Sequence, residues 1–246
     1  MIITKNGKNV YPEEIEYLLT TISFVQEAFV FEQDSSDAQD TVIAASIRMD
    51  EEALGEILGS EYRKTDFVKN TSNKLLFDIF FSDVPCEENG FKGFDYEKLC
   101  AMVLFFAHKS SGVLKTKLMK LLNYSDMIFY KENGLSISGL RYAHLPYGPV
   151  PDNFDMILGK MAADHIAHIE VFYDGSYENH QVVPECDVPE GVLSDEEIEV
   201  LTRIYEKFKD FGSKEISNYS HKETGYKATK TGQIISYAYA KDINLN

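Results

Sequence analysis

The chain has 246 residues, of which 44% are hydrophobic and 13% aromatic, so it is long enough to bury one or two hydrophobic cores. Its formal net charge of −16 disfavours general nucleic-acid binding, because a phosphate-binding surface needs clustered cations. No run of about 18 apolar residues and no basic-then-apolar start is present, and we therefore expect a cytoplasmic protein without a membrane partner. The three cysteines are far apart and form no CxxC pair, which indicates neither a disulfide framework nor a zinc site.

Residues 1–60 predict a small β-α-β-β-α unit. After a short strand and a turn, Pro12 begins a helix at its favoured first position, with acidic residues in the first turn. Strands are predicted at residues 25–31 and 41–49, followed by a short helix over residues 50–58. The 60 residues contain 3 cationic and 12 acidic side chains, a net charge of −9. This charge differs from that of the Lys-rich region further along, which supports a domain boundary.

The run IITKNGKNVYPEEIE resembles the start of the C-terminal subdomain of AMP-forming acyl-CoA synthetases, and the strands VQEAFVF and TVIAASI fit the same comparison. That family's large nucleotide-binding domain has no counterpart in this chain, and no convincing counterpart of its late catalytic lysine is present. We therefore do not expect this chain alone to form an acyl-adenylate. The resemblance implies an accessory fragment that is fused to the remainder of the chain.

Residues 61–93 are predicted to form a linker or one ambiguous element, because polar residues surround a short apolar run and Pro and Gly follow it. A helix is predicted from about Phe94, with Asp95 as its cap and one apolar face. It should end before Gly112 and pack on the helix that follows.

The next predicted helix carries apolar residues at helical spacing from Leu114 to Phe129, and Gly134 stands where a C-cap glycine belongs. Between residues 109 and 131 five lysines oppose one aspartate, a local charge of +4. Such a run is typical of a solvated helix face. We therefore expect the lysines at this site to lie on the flanks of the helix, namely Lys115, Lys117 and Lys120.

The helix is followed by a predicted half-buried strand over residues 136–145 and by the corner LPYGPVP. Three prolines restrict the backbone of this corner and disfavour a helix in the residues before them. The corner thereby presents Tyr147 on a stiff frame. Two roles are open for this tyrosine: an anchor for a partner protein, or a core residue at the junction of helix and strand.

In the C-terminal part, a helix is predicted from Phe154 and a strand pair around Gly175. The spacing of His165 and His168 is compatible with a metal site. However, alternation along a strand places the two side chains on opposite faces, and no third ligand of suitable type lies nearby in the sequence. No metal is therefore expected. Ser194 to Glu197 form a predicted capping box that begins a helix to about residue 211. His221 has two open roles: a general base or a structural histidine, the second being favoured because no nucleophile stands at a recognisable spacing.

The segment KTKLMKLLNYSDMIFYKENGLSISGLRYAHLPYGPVP resembles the Panacea domain, the SocA-like antitoxin family. Its pattern is a Lys-rich helix containing a Tyr, a Gly-containing strand and a Tyr-Gly-Pro-Val corner. Near the C-terminus, His221 and Tyr226 resemble that family's helix ending in His and a following aromatic, which is usually Trp. The resemblance covers residues 94–246. The matching positions in the first segment are Lys117, Leu121, Tyr124, Gly139, Tyr142, Tyr147, Gly148, Pro149 and Val150.

This resemblance implies an α+β fold, a mostly helical domain with small β elements over residues 94–246, preceded by the fragment of residues 1–60 and the linker of residues 61–93. It also implies a noncatalytic protein that neutralises a cognate toxin by direct binding and, in some family members, delivers the toxin to a cellular protease. No cofactor is expected. The candidate partner-binding residues are Lys115, Lys117, Lys120, Tyr124, Tyr147, Gly148, Pro149, His221 and Tyr226.

Two other classes of function stay open on the sequence. One is an enzyme, either an accessory part of an adenylating acyl-CoA ligase system or a hydrolase using His221. The sequence has no Gly-rich phosphate loop, nucleophile elbow, HExxH or paired-carboxylate motif that would support this class. The other is a DNA-binding repressor, which would need a helix-turn-helix that the sequence does not show.

Overall fold

The computed structural model describes residues 2–3, 9–21, 25–33, 42–49, 81, 84–175 and 177–245. The chain divides into two compact units, residues 1–79 and 80–246. The predicted α+β class is confirmed, because the described residues form helices together with small antiparallel sheets. The predicted boundaries at residues 60 and 93 stay a prediction.

In the first unit, the described residues form two antiparallel strand pairs and one helix. Leu19 of the helix and Val25 and Val30 of the longer pair are buried, and the Val30 amide donates to the Glu16 carboxylate over 2.8 Å. The predicted helix over residues 50–58 lies outside the described residues. The elements are β1 (Ile2–Ile3), β2 (Asn9–Val10), α1 (Pro12–Thr20), β3 (Val25–Gln33) and β4 (Val42–Met49).

The second unit is built around helices, with two small antiparallel sheets at its sides. The helices are α2 (Tyr96–Lys109), α3 (Lys115–Asn133), α4 (Phe154–Ala163), α5 (Asp195–Phe208), α6 (Ser213–Ser220) and α7 (Thr224–Ala228). The strands are β5 (Val113–Leu114), β6 (Tyr142–Leu145), β7 (Gly148–Pro151), β8 (Ala167–Asp174) and β9 (Tyr177–Pro184), ordered β5-β9-β8 in one sheet and β6-β7 in the other. Two 3-10 turns are also present, at Glu87–Asn89 and Tyr237–Asp242.

Helix α3 is the central element of the second unit. It packs against α2, α5, α6, strand β7 and the C-terminal 3-10 turn. Nine consecutive residues, 120–128, are therefore buried, whereas a surface helix buries only one stripe. The expectation that Lys120 lies on a solvated flank is wrong, because this part of the helix has neighbours on all sides.

Asp126 explains why the segment after α3 is not the predicted strand over residues 136–145. Its fully buried carboxylate accepts hydrogen bonds from the Ile137 and Ser138 amides, at 2.9 and 2.8 Å, and from two hydroxyl groups, those of Ser138 and Tyr142. Burial raises the pKa of Asp126, and the hydrogen bonds oppose that rise. The segment thus satisfies its backbone through a side chain rather than a neighbouring strand, and only Tyr142–Leu145 is extended.

Three predicted helix ends are confirmed. The Asp95 carboxylate accepts from the Lys98 amide over 3.0 Å and caps α2. Ser194 and Glu197 form the predicted capping box of α5, which ends at Phe208, three residues before the expected end. Gly134 follows α3 in the left-handed region at φ 79°. Local sequence signals determine all three ends.

The segment 84–93, which the sequence assigned to the linker, packs onto the second unit. Asn89 is buried, its carbonyl accepts from the Ser136 hydroxyl over 2.7 Å, and the Gly90 carbonyl accepts from the Ser136 amide over 2.9 Å. The Glu88 carboxylate also pairs with the Arg141 guanidinium at 2.7 Å. The compact second unit therefore begins well before Phe94. Within the described part of the chain, no helix is long and apolar enough to cross a membrane.

Candidate functional site

Strands β6 and β7 form a tight hairpin whose two-residue turn is Pro146-Tyr147. Leu145 lies opposite Gly148 and Tyr142 opposite Pro151, so the predicted proline corner is an ordered strand pair. Tyr147 is 73% exposed at the tip of the turn. The interpretation of Tyr147 as a core residue is therefore wrong, and the role of partner anchor stays a prediction.

Tyr226 of α7 contacts this hairpin next to its turn. Its hydroxyl donates to the Leu145 carbonyl over 2.9 Å. Burial raises the pKa of the Tyr226 hydroxyl, and a hydrogen bond with the Gly148 backbone opposes that rise. One side chain from the C-terminal part thus binds both ends of the turn that carries Tyr147.

The Tyr226 ring stands between two histidine rings. It stacks on His144 of β6 with ring centroids 3.7 Å apart, and on His221, which follows α6, at 4.5 Å. The interplanar angles are 19° and 10°, so the three rings are nearly parallel. The His144 Nδ1 atom lies 3.0 Å from the Thr229 hydroxyl, which fixes the outer ring. The stack connects β6 of the hairpin to α7 and to the residue that follows α6, and it lies against one side of the hairpin.

Lys120 approaches this layer from α3. A Cβ atom added to Gly148, which has φ of 104°, would lie 2.8 Å from Lys120 Cε and would also overlap the Ser220 hydroxyl. Only glycine tolerates both the backbone conformation and this contact. The Lys120 side chain is fully buried, and burial lowers the pKa of its ammonium to about 8. No described residue accepts a hydrogen bond from Lys120 Nζ.

His221 has similar surroundings. Burial lowers its pKa, and the neighbouring Lys120 and His144 charges lower it further, so its imidazole is neutral near pH 7. Its Nε2 atom is buried and has no hydrogen-bond partner among the described residues. The nearest hydroxyl in the sequence, that of Ser220, donates to the Ser217 carbonyl over 2.8 Å. This geometry does not arrange a nucleophile and base, and it supports a binding or structural role for His221.

The structure therefore brings together four of the predicted site residues, Lys120, Gly148, His221 and Tyr226. Pro149 is buried beside them, opposite His144 in the hairpin. Because Lys120, Gly148 and Pro149 are buried, they do not form part of an open surface in the free chain.

The remaining three predicted residues lie elsewhere on α3. The Lys115 ammonium pairs with the Asp155 carboxylate at 2.5 Å, and the Lys117 ammonium donates to the Lys209 carbonyl over 2.9 Å. Tyr124 is fully buried against Phe208, and its hydroxyl donates to the Glu223 carboxylate over 3.1 Å. Both lysines already have partners inside the chain, and Tyr124 connects α3 to the segment that carries Tyr226.

The pair His165 and His168 lies at the start of β8, away from this cluster. Both imidazoles lie next to the Glu185 carboxylate, at 3.5 and 2.7 Å, so Glu185 is a third potential ligand that the sequence did not suggest. The expectation of opposite strand faces is wrong because His165 precedes β8. Even so, among the residues that the structure describes, no three His, Cys, Asp or Glu side chains are arranged to hold a metal ion.

Comparison with known families identifies the region that contains the cluster. Residues 118–227 match the family described as Antitoxin SocA-like, Panacea domain. This part of the chain is similar to the Panacea domain. The predicted resemblance is thereby confirmed for the region from Leu118 to Lys227, which includes the hairpin, the ring stack and Lys120. The comparisons with curated proteins and with solved structures gave no match.

The family match does not include residues 1–60, and their resemblance to acyl-CoA synthetases stays a prediction. The similarity to an antitoxin family indicates a non-enzymatic role. Sequence reasoning overlooked three residues of the matched region that organise the site: Asp126, His144 and Glu223. His144 directly precedes the corner motif, and a histidine at this position was the signal that the sequence offered.

Proposed function

We propose that this chain is an antitoxin that neutralises a cognate toxin by binding it directly through the β6–β7 hairpin of its Panacea domain. The family match supports the antitoxin role, and one structural feature supports the location: Tyr147 is 73% exposed at the tip of a turn that Tyr226 holds from below. An aromatic side chain on a rigid backbone loses little further entropy on binding. Exposed aromatic anchors of this kind often contribute most of the binding energy of an interface.

The hairpin is better suited to this role than the lysines of α3. Lys115 and Lys117 are engaged with Asp155 and with the Lys209 carbonyl, so a toxin that used them would first have to break those contacts. The side chain of Tyr147 is largely exposed, and Leu145, which precedes the turn, is also exposed. A small apolar tip next to polar neighbours is the composition expected for the centre of a protein interface. Delivery of the bound toxin to a cellular protease is a further part of this proposal.

The experiment that tests this proposal measures the affinity of the full chain for the product of the reading frame adjacent to its gene. The variant Tyr147→Ala should weaken binding by about 2 kcal/mol, which is roughly thirty-fold. Its melting temperature should be nearly unchanged, because the ring is exposed. Tyr173→Ala is the matched control, since Tyr173 is a second exposed tyrosine, 67% accessible, on a different hairpin. Equal affinities of the two variants would show that the toxin binds elsewhere.

A further inference from the structure

Two polar groups beneath the hairpin share an unusual property: both are buried, and neither has a hydrogen-bond partner among the described residues. They are the Lys120 ammonium and the His221 Nε2 atom. An ammonium that is removed from water without a compensating acceptor is costly, and buried cations are normally paired. Among the described residues, the Lys120 ammonium therefore has no acceptor, and the His221 Nε2 atom has no hydrogen-bond partner of either kind.

The geometry brings these groups to the same place. Lys120 and Ser220 meet at the Gly148 backbone, where a Cβ atom would lie 3.6 Å from Lys120 Nζ. His221 follows Ser220 directly, and its ring is held parallel to Tyr226. Helix α3 packs on both β7 and α6, so the elements that carry the three residues are in contact. His221 and Tyr226 are both partly exposed, so the group lies one side chain below the surface.

We propose that Lys120 and His221 form a carboxylate-binding site beneath the β6–β7 hairpin, reached past the partly exposed rings of His221 and Tyr226. A carboxylate has one negative charge and two oxygens, which match one ammonium and one imidazole N–H. A phosphate would bring a second charge and further oxygens that these two donors do not satisfy. The neutral imidazole binds as its Nε2–H tautomer, and the Lys120 ammonium regains its full charge when the anion is present.

The source of the carboxylate is assigned through the proposed function, on which this step rests. Tyr147 and Gly148 are adjacent in the hairpin, the tyrosine at its tip and Gly148 against Lys120. A toxin that contacts Tyr147 is thus placed to insert an Asp or Glu side chain past His221. The hairpin would then supply an aromatic contact, and Lys120 and His221 would supply charge-assisted hydrogen bonds within the same interface.

The test uses the purified full chain and sodium acetate as the probe. Thermal unfolding is followed at about pH 7 and constant ionic strength, with chloride replaced stepwise by acetate. Acetate should raise the melting temperature of the wild type in a saturable manner, and Lys120→Met should abolish the saturable part. Lys117→Met is the matched control on the same helix and should respond like the wild type. Because anions also stabilise proteins without a site, only the saturable difference between the variants counts.

A second measurement does not depend on the stability of any variant. Acetate should shift the imidazole ¹⁵N signals of His221 in the wild type and leave those of His180, whose Nε2 lies 2.7 Å from Glu178, unchanged. Inorganic phosphate at the same ionic strength should give no saturable effect. The proposal is overturned if Lys120→Met responds to acetate as the wild type does, or if the His221 signals do not move.

Toxin binding distinguishes the two sources of the carboxylate. If the toxin supplies it, Lys120→Met should bind the toxin at least tenfold more weakly, and acetate should compete with the toxin for the wild type. If acetate binds but neither effect is seen, the natural ligand is a free carboxylate. Failure of the wild type to bind any toxin would overturn the proposed function alone, because the acetate assay contains no toxin.

Discussion

Replacing Asp126 by Ala tests what holds the segment between α3 and the hairpin. The carboxylate accepts four hydrogen bonds, two from the backbone amides of Ile137 and Ser138 and two from hydroxyl groups. The hydroxyl groups can rotate toward other acceptors, whereas the two amides are fixed in a buried segment. Each buried donor that loses its acceptor costs about 1–3 kcal/mol. We therefore expect Asp126→Ala to lower the free energy of unfolding by about 4 kcal/mol.

Urea denaturation followed by circular dichroism measures this loss, and hydrogen exchange locates it at the Ile137 and Ser138 amides. Both amides donate to the same carboxylate oxygen, which Asp126→Asn keeps as its amide oxygen, so this variant should lose much less stability than Asp126→Ala. Asp155→Ala is the control, because its carboxylate is 74% exposed and has one ion pair with Lys115, which is worth less than about 1 kcal/mol. Equal losses in the two Ala variants, or unchanged protection of both amides, would refute this explanation of the segment.

Two further predictions concern the pH dependence and the boundary of the second unit. Burial lowers the pKa of Lys120 from 10.5 to about 8. The unfolded chain therefore binds the proton of the Lys120 ammonium more tightly than the folded chain does. As a result, the folded wild type becomes more stable as the pH rises from about 8 to 10.5. In carboxylate-free buffer, the free energy of unfolding of the wild type, measured relative to that of Lys120→Met, should rise by about 2 kcal/mol between about pH 7 and 10. If the difference between the two free energies of unfolding does not change with pH, Lys120 is not a buried charged group. A fragment of residues 80–246 should unfold cooperatively and bind the toxin like the full chain. A fragment beginning at Gly90 should be less stable, because it lacks the Glu88–Arg141 ion pair and Asn89. Equal stability of the two fragments would show that residues 80–89 do not stabilise the second unit.

Features that depend on neighbouring residues could be predicted from the sequence. The capping box at Ser194, the cap at Asp95 and the glycine after α3 each need only three or four residues to act. The pairing of β8 and β9 around Gly175 was predicted for the same reason, although β9 is longer than the expected strand over residues 181–183. The corner motif identified the hairpin because prolines restrict the backbone wherever they occur.

Features that depend on distant residues could not be predicted in this way. The charge pattern placed Lys120 on the surface because it treats a helix as having one buried face, and α3 has several. The strand expected over residues 136–145 was wrong because Asp126, in the preceding helix, replaces a strand partner. The stack of His144, Tyr226 and His221 joins positions more than 70 residues apart, and no local pattern contains that information.

Neutralisation of a toxin in living cells is the most direct measurement of the central claim. The product of the adjacent reading frame is expressed alone, with the wild-type chain, and with Tyr147→Ala, and the growth rate of the host is recorded. The account predicts growth arrest with the adjacent product alone, full recovery with the wild type and incomplete recovery with Tyr147→Ala at equal protein levels. An adjacent product that does not slow growth, or an arrest that the wild-type chain does not relieve, would contradict the claim that this protein is an antitoxin.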